Sequence, residues 1–247
     1  MKARSVGAPS PLSTATWATA AQLRSIFDAL YGAYGPQHWW PASDTFEMMV
    51  GAILTQSAAW GNVERAIANL KAAGALSPSA LRALSPEELA HLVRPSGYFN
   101  AKARKLKALA EHLARYDDDL IRFFAQGVDG LRQELLGIHG IGEETADSII
   151  LYGAGKPVFV IDAYTRRILG RLGLRPTTDS YGGWQCLFRD NLPPDAALFN
   201  EFHALLVEHG KRACRREPRC EGCALRQGCN FGRHSVRAPE VAPLDGP

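Results

Sequence analysis

Several things are missing from this chain. No apolar run approaches the roughly twenty residues a membrane-spanning helix needs, which excludes a helical anchor of that kind. Net charge is only +3 over 247 residues, so bulk charge does not mark a polyanion binder; any such surface must come from local clustering. Convincing strands are absent. The only run with strand character, residues 158–161 (VFVI), is too short to build a sheet. No repeat appears beyond two short Ser-Pro helix starts. The first residues, MKARSVGAPSPLSTAT, lack the apolar core of a secretory signal. Residues 1–19 are therefore expected to be a disordered arm, and 234–247 an equally unstructured tail. The expected compartment is the cytoplasm, where thiols stay reduced.

What remains is ordinary globular material, 46% hydrophobic and 21% charged, enough for one large or two small cores. Its signals are helical. Asp44, Thr45, Phe46 and Glu47 read as a capping-box start, followed by Phe46, Met49, Val50, Ile53 and Leu54 at helical spacing. Asn62 is expected to cap a second helix with the stripe Val63, Ala66, Ile67 and Leu70, closed by Gly74. Ser77 before Pro78 and Ser85 before Pro86 are two further starts. Helices are expected from about Ala101, near Asp119, after Asp162, and from Ala196 to Arg212. The fold class is all-α.

Residues 138–142 (IHGIG) form a turn leading straight into a helix-like run. Gly140 and Gly142 let the backbone turn tightly and approach a partner closely. The N–H groups that follow favour an anion such as a phosphate. A plain helix–helix connection is the alternative. The apolar run 158–161 then delivers one carboxylate, Asp162, which reads either as a helix N-cap or as a reactive acid. The two are compatible, since a helix N-terminus favours the ionised form.

Four of the five cysteines are packed as Cys214-x5-Cys220-x2-Cys223-x5-Cys229, while Cys186 stands apart and is expected to be a buried small apolar residue. Without a signal for export, a metal is expected there before disulfides. Spacing leaves zinc and iron–sulfur both open. Lys211, Arg212, Arg215, Arg216, Arg219 and Arg226 surround the thiols, either as a phosphate-contacting surface or as a solvated face. Lys102, Arg104, Lys105 and Lys107 read mainly as a solvated helix face.

The stretch 135–172 resembles the helix-hairpin-helix DNA glycosylase superfamily, the endonuclease III relatives. Gly140, Ile141, Gly142, Thr145, Ala146 and Asp162 fall on its pattern. The resemblance implies two helical lobes: one of residues 45–157, containing the hairpin, the other of 20–44 plus 158–233. Damaged double-stranded DNA would bind in the cleft between them, to a monomer working near the nucleoid. It implies a [4Fe–4S] cluster on Cys214, Cys220, Cys223 and Cys229, although the family's first gap is one residue longer. Asp162 would be catalytic. Ile138, Gly140, Ile141 and Gly142 would meet the duplex, Gln56 would fill the gap left by the extruded nucleotide, and Tyr98 would wedge against the opposite strand.

Relatives that also nick the strand carry a lysine where this chain has Glu144. Without that amine no imine forms there, which implies a monofunctional glycosylase that leaves an abasic site. Trp39, Trp40, Trp60, residues 93–100 and the Glu144-containing hairpin resemble the 3-methyladenine DNA glycosylase III branch. There, aromatic rings sandwich a flipped base. Trp39 or Trp40 would pair with Trp60, with Lys211 and Glu144 beside the pocket, and indole faces suit a cationic alkylated purine by about 0.5–2 kcal/mol. Any one of the tryptophans also reads as a core or lobe-interface residue, but not all three together. Other readings are removal of oxidised pyrimidines or mismatched thymine, and a cluster-bearing DNA-binding protein without turnover.

Overall fold

The computed structural model describes residues 14–234, and no strand occurs among them. Thirteen α-helices follow in order: α1 Thr14–Tyr34, α2 Thr45–Leu54, α3 Trp60–Ala72, α4 Pro78–Ala83, α5 Pro86–Leu92, α6 Phe99–Leu113 and α7 Leu120–Phe124 come first. Then come α8 Val128–Leu136, α9 Glu143–Ser148, α10 Ala163–Leu172, α11 Tyr181–Arg189, α12 Ala196–Arg212 and α13 Asn230–His234. None of them is long and apolar enough to cross a membrane.

Caps place most boundaries. The Asp44 side chain accepts from the Glu47 N–H, starting α2. Ser77 and Ser85 cap α4 and α5, each followed by proline, and Ser85 with Glu88 forms a full capping box. Gly74, at φ +63°, closes α3 as expected. Two expectations are corrected. α3 begins at Trp60 with no side-chain cap, and Asn62 instead accepts from Arg65 within its first turn. α1 begins at Thr14, inside the stretch read as an arm; residues 1–13 and 235–247 lie outside the described residues.

Two hydrophobic cores result. The first gathers α2 to α9 around Met49, Ile53, Leu70, Leu106 and Ile149; α2 is buried on nearly every side. The second packs α1, α10, α11 and α12 around Leu30, Phe159, Phe188 and Phe202, with the Phe159 and Phe188 rings stacked. The apolar run 158–161 is extended but unpaired. Its backbone is held by side chains instead: Gln185 donates to Phe159 O, and Ile161 N donates to the Tyr181 hydroxyl. A π-helical turn, Ile149–Gly153, continues α9 and carries the chain from the first core to the second.

The lysines of α6 depart from the expected solvated face. Lys102 is 1% exposed, and its Nζ donates to Leu54 O and Ser96 O at 2.8 and 2.7 Å. Lys107 donates to Arg82 O and Leu84 O at the end of α4. These amines close helix C-termini, where carbonyls lack partners. Arg104 alone of the four is exposed.

Candidate active site

A cleft of about 1100 Å³ opens between the two cores. The first lobe lines it with Trp40, Gln56, Trp60, Gly140, Gly142 and Glu144; the second brings Asp162, His203 and Lys211, with Trp39 on the linking segment.

Asp162 is the N-cap of α10, and Oδ1 accepts the Thr165 N–H at 2.7 Å. It is 9% exposed, and its Oδ2 lies 3.7 Å from His203 Nε2. Burial works to raise this carboxyl, but His203 and the Thr165 N–H outweigh it and hold the acid below its ordinary value. The side chain is therefore an anion facing the cleft. Glu144 projects from the first turn of α9 into the same cleft, open to solvent on one side. Desolvation by the cleft walls, then the Asp162 charge, push its carboxyl up. Two carboxylates in one cleft with opposite shifts divide into an ionised group and one more readily protonated.

Gly140 turns the hairpin at φ +83°, and Gly142 is the N-cap of α9. Ile138 and Ile141 are 4% and 5% exposed in the first core, so their side chains cannot reach a duplex and only their backbone can face one. Gln56 is tied to the hairpin: Nε2 donates to Gly140 O at 3.1 Å and to Thr145 Oγ1 at 2.9 Å, while Lys105 Nζ donates to Oε1. Tyr98 has φ +46° and is 75% exposed, an aromatic ring displayed on a left-handed residue.

The three tryptophans do converge. Trp40 meets Trp60 edge to face at 5.7 Å and Tyr152 at 5.3 Å, and Trp39 packs beside Trp40. Because Trp40 and Trp60 touch edge to face, no parallel slot opens between them; a base would stack on an open ring face. Gly51 makes room for the Trp40 indole, since a Cβ there would sit 3.2 Å from its Nε1. Lys211 Nζ lies 5.4 Å from the Trp39 ring centroid. His203 and Tyr152 were not found from sequence: a histidine on an apolar helix face carries no local signal of what it meets.

The four clustered cysteines are free thiols lining one narrow cavity, with Cys214 buried. Arg171 donates to Cys214 Sγ at 3.2 Å, and the Gly232 N–H to Cys229 Sγ at 3.2 Å. Arg167 and Arg171 of α10 also bind the Cys214, Arg215 and Arg216 carbonyls, fastening the loop to the helix that Asp162 caps. Among the described residues no three or more His, Cys, Asp or Glu side chains converge as a metal-ion site. Four unpaired thiols around one cavity, with N–H donors aimed at sulfur, nevertheless suit a thiolate-bound cluster in chemistry. Arg215, Arg216 and Arg219 are exposed beside it. Cys186 is half-buried with Arg189 donating to its sulfur, not the enclosed apolar residue expected.

A two-core helical fold with a glycine hairpin, and a buried acid facing the cleft between the cores, defines a helix-hairpin-helix protein. The family model "HhH-GPD superfamily base excision DNA repair protein" matches residues 50–194. Protein MJ1434 of Methanocaldococcus jannaschii, provisionally named a DNA repair glycosylase, is 41% identical over 83% of this chain and 94% of its own. Endonuclease III of Thermotoga maritima is 29% identical over 77% of this chain and 85% of its own. Among solved structures, H. pylori 3-methyladenine DNA glycosylase (MagIII) bound to 1,N6-ethenoadenine has a TM-score of 0.67 at 28% identity, covering 80% of this chain and 97% of that one. The chain belongs to the HhH-GPD superfamily. It is a DNA glycosylase of base excision repair.

Proposed function

We propose that this protein is a monofunctional glycosylase that removes alkylated purines from double-stranded DNA and leaves an abasic site. The carrying observation is the pairing of a buried anionic Asp162 with Glu144, in place of an amine, across an indole-lined cleft. Residues 45–157 and 20–44 plus 158–233 are taken as the lobes that hold the duplex. Gly140, Gly142 and the backbone at Ile138 and Ile141 would anchor one phosphate run, Gln56 would fill the space a swung-out nucleotide leaves, and Tyr98 would wedge against the opposite strand.

The step is hydrolysis. The C1′–N bond breaks with its electron pair leaving on the base, and positive charge develops on the sugar, which the Asp162 carboxylate stabilises. Water adds to C1′ and gives its proton to that carboxylate or to solvent. Alkylation weakens the bond in advance, so recognition by Trp39, Trp40 and Trp60 carries much of the discrimination. The H. pylori relative's bound ethenoadenine supports a modified purine as substrate. Two other amines line the cleft, but Lys105 is engaged by Gln56 and Lys211 lies over Trp39.

Cys214, Cys220, Cys223 and Cys229 would hold a [4Fe–4S] cluster. When bound, it supplies a compact cross-link that shapes the loop carrying Arg215, Arg216 and Arg219 toward the phosphates.

The test is a lesion panel of methylated, oxidised and T/G-mismatched duplexes, each followed by alkali or by borohydride trapping. Base loss from methylated DNA, strand breaks only after alkali and no trapped adduct support the reading. A trapped covalent complex overturns the monofunctional assignment, and excision confined to oxidised or mismatched duplexes overturns the substrate.

A further inference from the structure

His203 is 4% exposed on α12 and faces two ways. Its Nδ1 lies 2.5 Å from the Tyr152 hydroxyl. Its Nε2 has no hydrogen-bond partner and points at Asp162 Oδ2, 3.7 Å away. That gap is longer than a formed hydrogen bond, and closing it needs a shift of less than about 1 Å. Catalytic contacts of this kind commonly tighten only around substrate.

The Tyr152 phenol sits in the π-helical turn, a type of insertion that recurs at functional sites. Burial, then the nearby Asp162 and Glu201 charges, hold it protonated. A protonated phenol can donate to Nδ1, and an Nε2 that faces a carboxylate favours the tautomer in which it does. A neutral imidazole that accepts at Nδ1 carries its one hydrogen on Nε2, the nitrogen that faces the acid.

We propose that Tyr152 and His203 are a positioning pair for Asp162: Tyr152 selects the tautomer, and His203 Nε2–H holds Oδ2 while the Thr165 N–H holds Oδ1. The inference rests on the reading that Asp162 is the catalytic carboxylate. Held at both oxygens, the carboxylate has one orientation and stays ionised in a site that would otherwise protonate it. The other charged or titratable groups lining its cleft are Glu143 and Glu144 from α9, Tyr164 from α10, Tyr181 from α11, Lys211 from α12 and Lys105 from α6, while Arg166 of α10 acts on Glu144. None of these touches either oxygen in place of the imidazole.

The experiment is single-turnover base excision across pH by wild type, Asp162→Asn, His203→Ala, His203→Gln and Tyr152→Phe, with melting temperature and abasic-DNA affinity measured alongside. Asp162→Asn should abolish excision. His203→Ala should slow it about a hundredfold, with the acid limb of the profile moved to higher pH, because a donor to the ionised form is gone. His203→Gln, which returns an N–H near the Nε2 position, should recover about tenfold, and Tyr152→Phe should cost about tenfold with the ring retained. If Asp162→Asn is dead but His203→Ala and Tyr152→Phe match wild type, the pair has no such role and the Asp162 reading stands. Equal losses in His203→Ala and His203→Gln with an unmoved profile mean packing alone, and also overturn it. An active Asp162→Asn overturns the reading beneath. Should His203→Ala fail to fold, the rates and pH profiles of His203→Gln and Tyr152→Phe decide: both at wild-type rate with unmoved profiles overturns the pair.

Discussion

Lys105 lies across Gly140. Any Cβ at position 140 would sit 2.3 Å from Lys105 Cγ, and the backbone there is already at φ +83°. The same lysine reaches on to Gln56, which in turn donates to the Gly140 carbonyl. The hairpin, Gln56 and α6 are thus one unit. Gly140→Ala is expected to cost about 1–2 kcal/mol of stability from the left-handed backbone, and to weaken duplex binding further by displacing Lys105. Denaturant titration and a binding isotherm check the two effects separately.

Lys102 gives a second prediction. Its removal leaves Leu54 O and Ser96 O buried without donors, so Lys102→Met should lose about 2–4 kcal/mol. The pH dependence has a definite sign. Burial, then the charge of Lys105, lower the amine from 10.5 to about 8. Between those values the unfolded chain binds more protons than the native one, so this group adds stability as pH rises through the window. The unfolding free energy of wild type relative to Lys102→Met should therefore grow from about pH 8 to 10.5. A flat difference would contradict the burial of a charged amine.

The third concerns the join between lobes. Asp147 is fully buried on α9; Arg132 of α8 donates to it at 2.8 Å, as does Gln185 of α11. Gln185 and Tyr181 also hold the backbone at Phe159 and Ile161, just before Asp162. Asp147→Ala removes one side of a largely buried ion pair and should cost about 3 kcal/mol. Excision should fall more than duplex affinity, since the carboxylate's approach segment loosens while the hairpin stays. Melting curves and single-turnover rates with binding controls test this.

What could be read from the sequence was local. Ser77, Ser85 and Asp44 announce helix starts because a cap and its N–H partners lie within three residues. Gly140 and Gly142 announce the hairpin for the same reason. Asp162 was legible as an N-cap because its partner, the Thr165 N–H, lies three residues on. The misreadings share the opposite property. Lys102 looks like a solvated cation until its partner Leu54 O, 48 residues away, is in place. His203 meets Tyr152 across 51 residues. Ile138 and Ile141 belong to the hairpin pattern, yet chain tracing alone does not say which way their side chains turn.

The cysteine loop yields a fourth prediction. Purified aerobically, the protein should be brown, with a broad band near roughly 400 nm and about four irons per chain. Cys220→Ser should lose both while the described helical content stays, because Cys220 belongs to neither core and the loop is also held to α10 through Arg167 and Arg171. Stoichiometric zinc with no visible absorption would contradict the iron–sulfur assignment.

The most direct measurement is release of modified base from methylated duplex by wild type and Asp162→Asn at equal DNA occupancy, with strand integrity read before and after alkali. Free base from wild type alone, on strands that stay whole until alkali is added, is the predicted result. Undiminished release by Asp162→Asn, or breaks that appear without alkali, would contradict a lone carboxylate working through water.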